Sequence, residues 1–120
     1  MIHGTFGERG QLFFEIDLIT FDGLHLPVDA MLDTGFTEFL AINKQDLDAL
    51  KWHFIREEEL QTAQGKSIFD LYTGKVLIDG QEYEIPVFAG EEIREILLGS
   101  QWLKILPLVV NYQAGLLTLG

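Results

Sequence analysis

The chain has 120 residues, contains no cysteine and carries a formal net charge of −11, with 8 basic against 19 acidic residues. Its length is typical of one domain, and a hydrophobic content of 48% argues against a disordered chain. The lack of cysteine excludes disulfides, thiolate zinc sites and cysteine nucleophiles, while the acidic balance opposes binding to nucleic acid or to anionic lipid. We therefore predict a single soluble domain over residues 1–120.

No segment has the features of a signal sequence or a membrane span. The first residues lack an apolar signal core, and the longest apolar stretch near the other end, residues 105–110, is far too short to cross a bilayer. We expect a cytoplasmic protein without a membrane partner.

The first half of the chain predicts a β-hairpin. Residues 11–19 alternate between apolar and polar side chains with a period of about two, and Asp22-Gly23 is a tight-turn signal. Residues 25–32 form the returning strand, which ends immediately before Asp33. Pro27 cannot donate a ladder hydrogen bond, so it indicates an edge or strand-start position.

A short helix is predicted next. Asn43 is a favourable N-cap, and Asp46 lies near the positive end of the helix dipole. Leu47 and Leu50 would share one face, and Lys51 would end the last turn.

The remainder again favours strands. Residues 60–68 read as a hairpin with Gly65 at or near its tip, and Asp79-Gly80 predicts a second hairpin turn. Ser100 is predicted to cap a short helix that begins at Gln101. The other expected elements are strands over 69–78, 82–88, 108–112 and 116–119, a charged connection over 91–95, and a buried apolar run over 96–99. This order predicts an all-β fold, a small closed barrel with one or two short helices.

Several kinds of catalytic site are excluded by their patterns. The three histidines lie far apart and none belongs to an H-E-x-x-H motif, so they predict surface or packing roles and no metal. Gly65-Lys66-Ser67 lacks the earlier glycine of a phosphate-binding loop, and neither serine lies in a G-x-S-x-G motif. We expect no cofactor.

The tripeptide Asp33-Thr34-Gly35 places a carboxylate on a glycine turn between two apolar, strand-like segments. Taken alone, it is also explained by an aspartate and a threonine whose side chains stabilise a turn. Both interpretations stay open at the level of the tripeptide.

The wider context resembles the retropepsin-like aspartic proteases, the single-domain relatives of retroviral and retrotransposon proteases. Three segments match in the right order from about Gln11 onward. They are the apolar strand into Asp33-Thr34-Gly35, the hairpin around residues 62–65 with the strand at 74–80, and Ile96-Leu97-Leu98-Gly99 with its following helix. Phe36 replaces the usual alanine or serine, which resembles a prokaryotic branch with a D-T-G-F motif.

The resemblance implies an aspartic endopeptidase that acts on peptide or protein substrates. Because Asp33 occurs in a single motif, two copies must meet in a homodimer and activate one water with a symmetric pair of aspartates. Thr34 would bond across the interface, and Gly35 would let its amide approach the carboxylates. The hairpin would act as a flap, and the implied substrate-binding residues are Phe36, Thr62, Ala63, Gln64 and Gly65. The strand at 116–119 would either contribute to the dimer interface or complete the barrel.

Two other functions compete with this hypothesis. A catalytically weak or inactive peptide-binding or assembly module could keep the same fold, and Phe36 beside the catalytic turn favours it. A glycosidase also uses a pair of carboxylates, but it explains neither the glycine turn nor the flap-like hairpin.

Overall fold

The computed structural model describes residues 1–62 and 65–120, with only the backbone at position 62. Most of the described residues lie in strands. In chain order the strands are β1 (Ile2–His3), β2 (Thr5–Phe6), β3 (Leu12–Ile19), β4 (His25–Leu32), β5 (Leu40–Asn43), β6 (His53–Thr62), β7 (Gly65–Ile78), β8 (Gln81–Gly90), β9 (Ile96–Leu98), β10 (Leu108–Asn111) and β11 (Leu116–Leu119). A 3-10 turn, Lys44–Asp46, leads into helix α1 (Leu47–Leu50), and a second 3-10 helix spans Ser100–Lys104.

The strands form two sheets. The larger has the order β2-β3-β4-β9-β5-β8-β7-β6, and an additional pairing between β3 and β7 closes it on itself. The smaller has the order β1-β11-β10. The predicted all-β fold with short helices is therefore confirmed.

Both of the predicted Asp-Gly hairpin turns are present. Strands β3 and β4 pair from Leu12 opposite Leu32 to Ile19 opposite His25, on either side of the turn at Asp22-Gly23. The Thr20 hydroxyl donates a 2.8 Å hydrogen bond to Asp22 and lowers the pKa of that carboxyl below its usual value. Asp79 and Gly80 both adopt positive φ, 53° and 76°, as the turn between β7 and β8 requires.

Pro27 occupies the position that its missing N–H allows. It pairs with Asp17 of β3, whereas on the other side β4 pairs with β9 only from Ala30 to Leu32. In the described pairings, Pro27 thus lies where β4 has a neighbour on one side, in agreement with the prediction.

The apolar core lies inside the closed part of the larger sheet and beneath the smaller one. Trp102 is completely buried, and Phe14, Leu98, Leu117 and Leu119 are at most 2% exposed within the same cluster. The short helices in the described part of the chain are not long and apolar enough to cross a membrane.

One predicted cap is confirmed and one is wrong. Asn43 accepts a 2.9 Å hydrogen bond from the Gln45 N–H at the helix start, although the first turn is 3-10 rather than α. The second helix begins at Ser100 itself, with Gly99 at the N-cap position and no side-chain cap. The reason is tertiary, because the Ser100 N–H donates to the Phe36 carbonyl at 2.8 Å and so draws the chain into the turn one residue early.

Candidate active site

Asp33 lies where two parallel strands end together. Strands β4 and β9 pair in parallel up to Leu32 opposite Leu98, and the Asp33 N–H then donates to the Leu98 carbonyl at 2.9 Å. Since Leu32 and Leu98 are buried, the sheet delivers Asp33 directly from the core to a partly buried position at its rim.

The turn after β4 fixes one oxygen of this carboxylate. The Gly35 N–H donates to Asp33 Oδ1 at 2.9 Å, and the Phe36 N–H donates to the Asp33 carbonyl at 3.1 Å. A Cβ on Gly35 would lie 3.1 Å from that same Oδ1, so glycine gives the amide room to approach. No described residue donates a hydrogen bond to Asp33 Oδ2, and Thr34 and Gly35 are exposed.

The segment after β9 holds the remainder of this loop. The Gly99 N–H donates to the Phe39 carbonyl at 3.0 Å, and the Ser100 N–H donates to the Phe36 carbonyl at 2.8 Å. A Cβ on Gly99 would lie only 1.8 Å from the Glu38 carbonyl oxygen. Position 99 therefore requires glycine because another backbone occupies the space of a side chain.

Trp102 adds a side-chain anchor to the same loop. Its indole N–H donates to the Phe39 carbonyl at 2.7 Å, and its ring makes edge-on contacts with Phe39 and Tyr83, at centroid distances of 4.8 and 5.1 Å. Gln101 donates through Nε2 to the Thr37 carbonyl at 3.0 Å. Residues 33–39 are thereby fastened to the core through both their backbone and their aromatic side chain.

Two open cavities meet at Asp33. The larger, about 1220 Å³, lies between the carboxyl end of β4, the start of the helix and the loop after β8. The smaller, about 770 Å³, lies between the Asp33 turn, the same loop and the β6–β7 hairpin. A carboxylate at the junction of two cavities, beside a hairpin, suits an extended ligand that crosses it in both directions.

Phe36 both lines the smaller cavity and packs against the sheet. Its ring meets Phe88 of β8 edge-on at 6.1 Å, and Phe88 in turn meets Phe69 of β7 at 6.4 Å. Leu60, Leu71 and Ile93 complete this second apolar cluster. Phe36 thus connects the Asp33 turn to the base of the hairpin as well as forming a cavity wall.

Of the other predicted substrate-binding positions, Thr62 is the last residue of β6 and Gly65 is the first residue of β7. Gly65 begins β7 and pairs with the backbone of Thr62, whereas Ala63, Gln64 and the Thr62 side chain lie outside the described residues. The described hairpin residues that line the smaller cavity come from its stem instead: Glu57, Gln61, Ser67, Ile68 and Phe69.

Sequence reasoning missed the loop after β8. Glu91, Glu92 and Ile93 line both cavities, although the charged run in the sequence predicts only a connection. Asn43 was identified as a helix cap, but its Nδ2 also donates to the carbonyls of Glu91 and Ile93, at 3.2 and 2.9 Å. The acidic run was the available signal, yet nothing local to it indicates that the loop returns to Asp33.

Comparison with solved structures identifies the fold. The chain is similar to a retropepsin-like aspartic protease from Rickettsia conorii (TM-score 0.63, 20% identity, covering 99% of this chain and 88% of that one). It is also similar to EIAV protease in complex with the inhibitor HBY-793 (TM-score 0.63, 14% identity, 83% and 91% covered) and to the simian foamy virus (mac) protease (0.54, 21%, 79% and 98%). No family model and no curated protein matches the sequence. The chain therefore has the retropepsin-like aspartic protease fold, as the resemblance implied.

Gly99→Ala should destabilise the protein severely. The new Cβ would overlap the Glu38 carbonyl oxygen, and the 33–39 loop cannot shift without breaking its hydrogen bonds, so we expect a loss above about 3 kcal/mol in denaturant unfolding. Gly35→Ala is the matched control because its Cβ meets only a side-chain oxygen at 3.1 Å; we expect a change within about 1 kcal/mol. Equal losses in the two variants would contradict the assigned role of Gly99.

Trp102→Phe should loosen the loop that carries Asp33. Removal of the indole donor is expected to cost about 1–3 kcal/mol and to accelerate hydrogen exchange at the Gly99 and Ser100 amides. Trp52→Phe is the matched control, since its indole N–H donates to the Ile19 carbonyl at the same 2.7 Å. Similar protection of both amides in the two variants would show that Trp102 does not hold the loop.

Proposed function

We propose that the protein is an aspartic endopeptidase that acts as a homodimer. The observation that carries the proposal is the Asp33 turn, where one carboxylate oxygen is held by the Gly35 amide at the junction of two cavities. The fold supports it, because similar chains are described as aspartic proteases. Membership of a D-T-G-F branch, a single domain over 1–120 and a cytoplasmic location stay predictions from the sequence.

The proposed chemistry needs two copies of Asp33. Two carboxyl groups about 3 Å apart cannot both be ionised, so they share one proton. The ionised group takes a proton from a water molecule while the water oxygen attacks the peptide carbonyl carbon, and the protonated group donates to the carbonyl oxygen. The resulting neutral diol collapses when the peptide nitrogen receives a proton and leaves as an amine. No covalent intermediate with the enzyme forms.

The turn is suited to meeting a second copy of itself. Thr34 and Gly35 are exposed, so the Thr34 hydroxyl is free of the protein interior and can bond across a two-fold axis. Isologous pairing is the symmetry that would bring two identical carboxylates together.

The smaller sheet offers a surface for this pairing. Leu117 and Leu119 of β11 are buried in the core of their own subunit, whereas Leu116 of the same strand is 41% exposed, so β11 contributes to the core and still presents one apolar side chain at the surface. Strand β10 is an edge strand of the described sheet, and it exposes Val109 by 46%; Tyr112 just beyond it is 60% exposed. An apolar edge strand can pair with the same strand of a second chain.

A peptide-binding module without useful catalysis is the second candidate. The observation in its favour is Phe36, a large side chain that lines the smaller cavity next to Asp33 and narrows the space beside it. The two candidates share the fold and the cleft, and they differ in whether bound peptide is cut.

Asp33→Asn should abolish cleavage while preserving the fold. We expect wild-type protein at mildly acidic pH to bind a pepstatin-type inhibitor and to cut an unbiased peptide library. The variant should lose inhibitor binding and several orders of magnitude of cleavage, with an unchanged circular dichroism spectrum. Cleavage retained by the variant would refute the mechanism, and no cleavage or inhibitor binding by a confirmed dimer would favour the module.

Activity should depend on protein concentration and on salt. A monomer lacks half of the proposed site, so specific activity should fall on dilution below the dimer dissociation constant. Two copies of a chain with net charge −11 bring together a combined net charge of −22, so added salt should strengthen the dimer by screening. Sedimentation and activity measured over the same dilution series test both effects. A specific activity that stays constant while the protein becomes monomeric would exclude the shared site.

A further inference from the structure

The cavities around Asp33 are lined by many more acidic than basic side chains. Both are lined by Asp33, Glu91 and Glu92, and each has further charged residues of its own. The acidic side chains of the two linings together are Asp33, Asp46, Glu57, Glu91, Glu92 and Glu95, whereas the basic ones are Lys44 and Arg94. The cleft therefore has a negative potential at the position where the proposed chemistry occurs.

The two cations of the linings, Lys44 and Arg94, offset only part of this charge. Lys44 already pairs with Asp70, outside both linings, with 3.4 Å between Nζ and Oδ2. In the described part of the chain, no lysine or arginine forms an ion pair with Glu57, Glu91 or Glu92. These carboxylates are available to a ligand.

The main chain that carries Glu91 and Glu92 is held in place. Asn43 Nδ2 donates to the carbonyls of Glu91 and Ile93, while its Oδ1 accepts from the Gln45 N–H. One side chain thus ties the acidic loop to the end of β5 and to the helix start. The loop lines both cavities, so its carboxylates lie along the path past Asp33.

Apolar walls accompany these charges. Phe36, Ile68, Phe69, Ile93 and Leu97 line the smaller cavity, and Ile93 and Leu97 also line the larger. Long basic side chains suit such a cleft, because their methylene stems cover apolar surface while their charged ends reach carboxylates. A metal ion suits it less well, since the described residues contain no group of three or more potential ligands placed to hold one.

We propose that the cleft selects extended peptides that carry lysine or arginine close to the bond that is cut. The inference rests on the proposed function and specifies its substrate class. The site is defined by the cavities at Asp33, and the charges determine which peptides bind there. The same charges disfavour peptides with acidic side chains at these positions.

The test compares three sets of peptides that differ only at the positions flanking the cut bond, with lysine, glutamine or glutamate. We expect wild-type kcat/KM to be roughly five- to tenfold higher for the lysine set than for the glutamine set, the effect of one partly solvated charge pair. The glutamate set should have the lowest kcat/KM, and high salt should bring the kcat/KM values of the three sets closer together.

Paired variants locate the effect in the cleft. The double variant Glu91→Gln, Glu92→Gln should lose most of the lysine preference. The control Glu8→Gln, Glu15→Gln makes the same change in net charge at exposed positions that line neither cavity, and it should keep the preference.

The outcomes separate this inference from the function on which it rests. Cleavage without a lysine preference, or an equal loss of preference in both double variants, would overturn the inference and leave the peptidase standing. If the wild-type dimer cuts members of the unbiased library but none of the sets, the inference fails and the peptidase remains; if it cuts neither, the proposed function fails. In that case, fluorescence anisotropy is used to measure the affinity of the wild-type protein for the uncut peptides. Equal affinity for the lysine and glutamate sets would refute the inference.

Discussion

The position of Asp33 depends on hydrogen bonds between two segments that are remote in sequence. Trp102 donates to the Phe39 carbonyl across 63 residues, and Gly99 and Ser100 donate their amides to the same loop. All three residues follow β9, the strand whose parallel pairing with β4 delivers Asp33. The loop therefore has its geometry imposed by the core, and a carboxylate held in this way needs little reorganisation when a ligand arrives.

This arrangement joins stability to function. Trp102 is completely buried and touches the rings of Phe39 and Tyr83, so the side chain that fixes the loop also fills the core. Phe36 makes a second connection, because it links the loop to Phe88 and through it to the base of the hairpin. Loss of either aromatic contact would therefore lower the free energy of unfolding and also change the geometry of the Asp33 turn.

Much of the fold follows from local signals. Alternating side chains and the turns at Asp22-Gly23 and Asp79-Gly80 are properties of neighbouring residues, and both hairpins were predicted from them. The features that escaped prediction depend on contacts over long distances. The sequence predicts that Ser100 caps a helix with its hydroxyl, but in the structure its backbone N–H donates to the Phe36 carbonyl. Asn43 caps a helix as predicted, and it also holds a loop that begins 48 residues later. The two partners of such a hydrogen bond lie too far apart in the sequence for a local pattern to include both.

The two proposals together imply that substrate and dimer are linked. Pairing about Asp33 would bring two acidic clefts toward each other, at an electrostatic cost added to that of the net charge of −11 on each chain. A cationic peptide bound across the junction would offset part of that repulsion, whereas an acidic peptide would increase it. By thermodynamic linkage, a ligand that binds the dimer better than the monomer must also strengthen the dimer. The acidic cleft would then favour assembly of a complete site in the presence of the peptides that it selects.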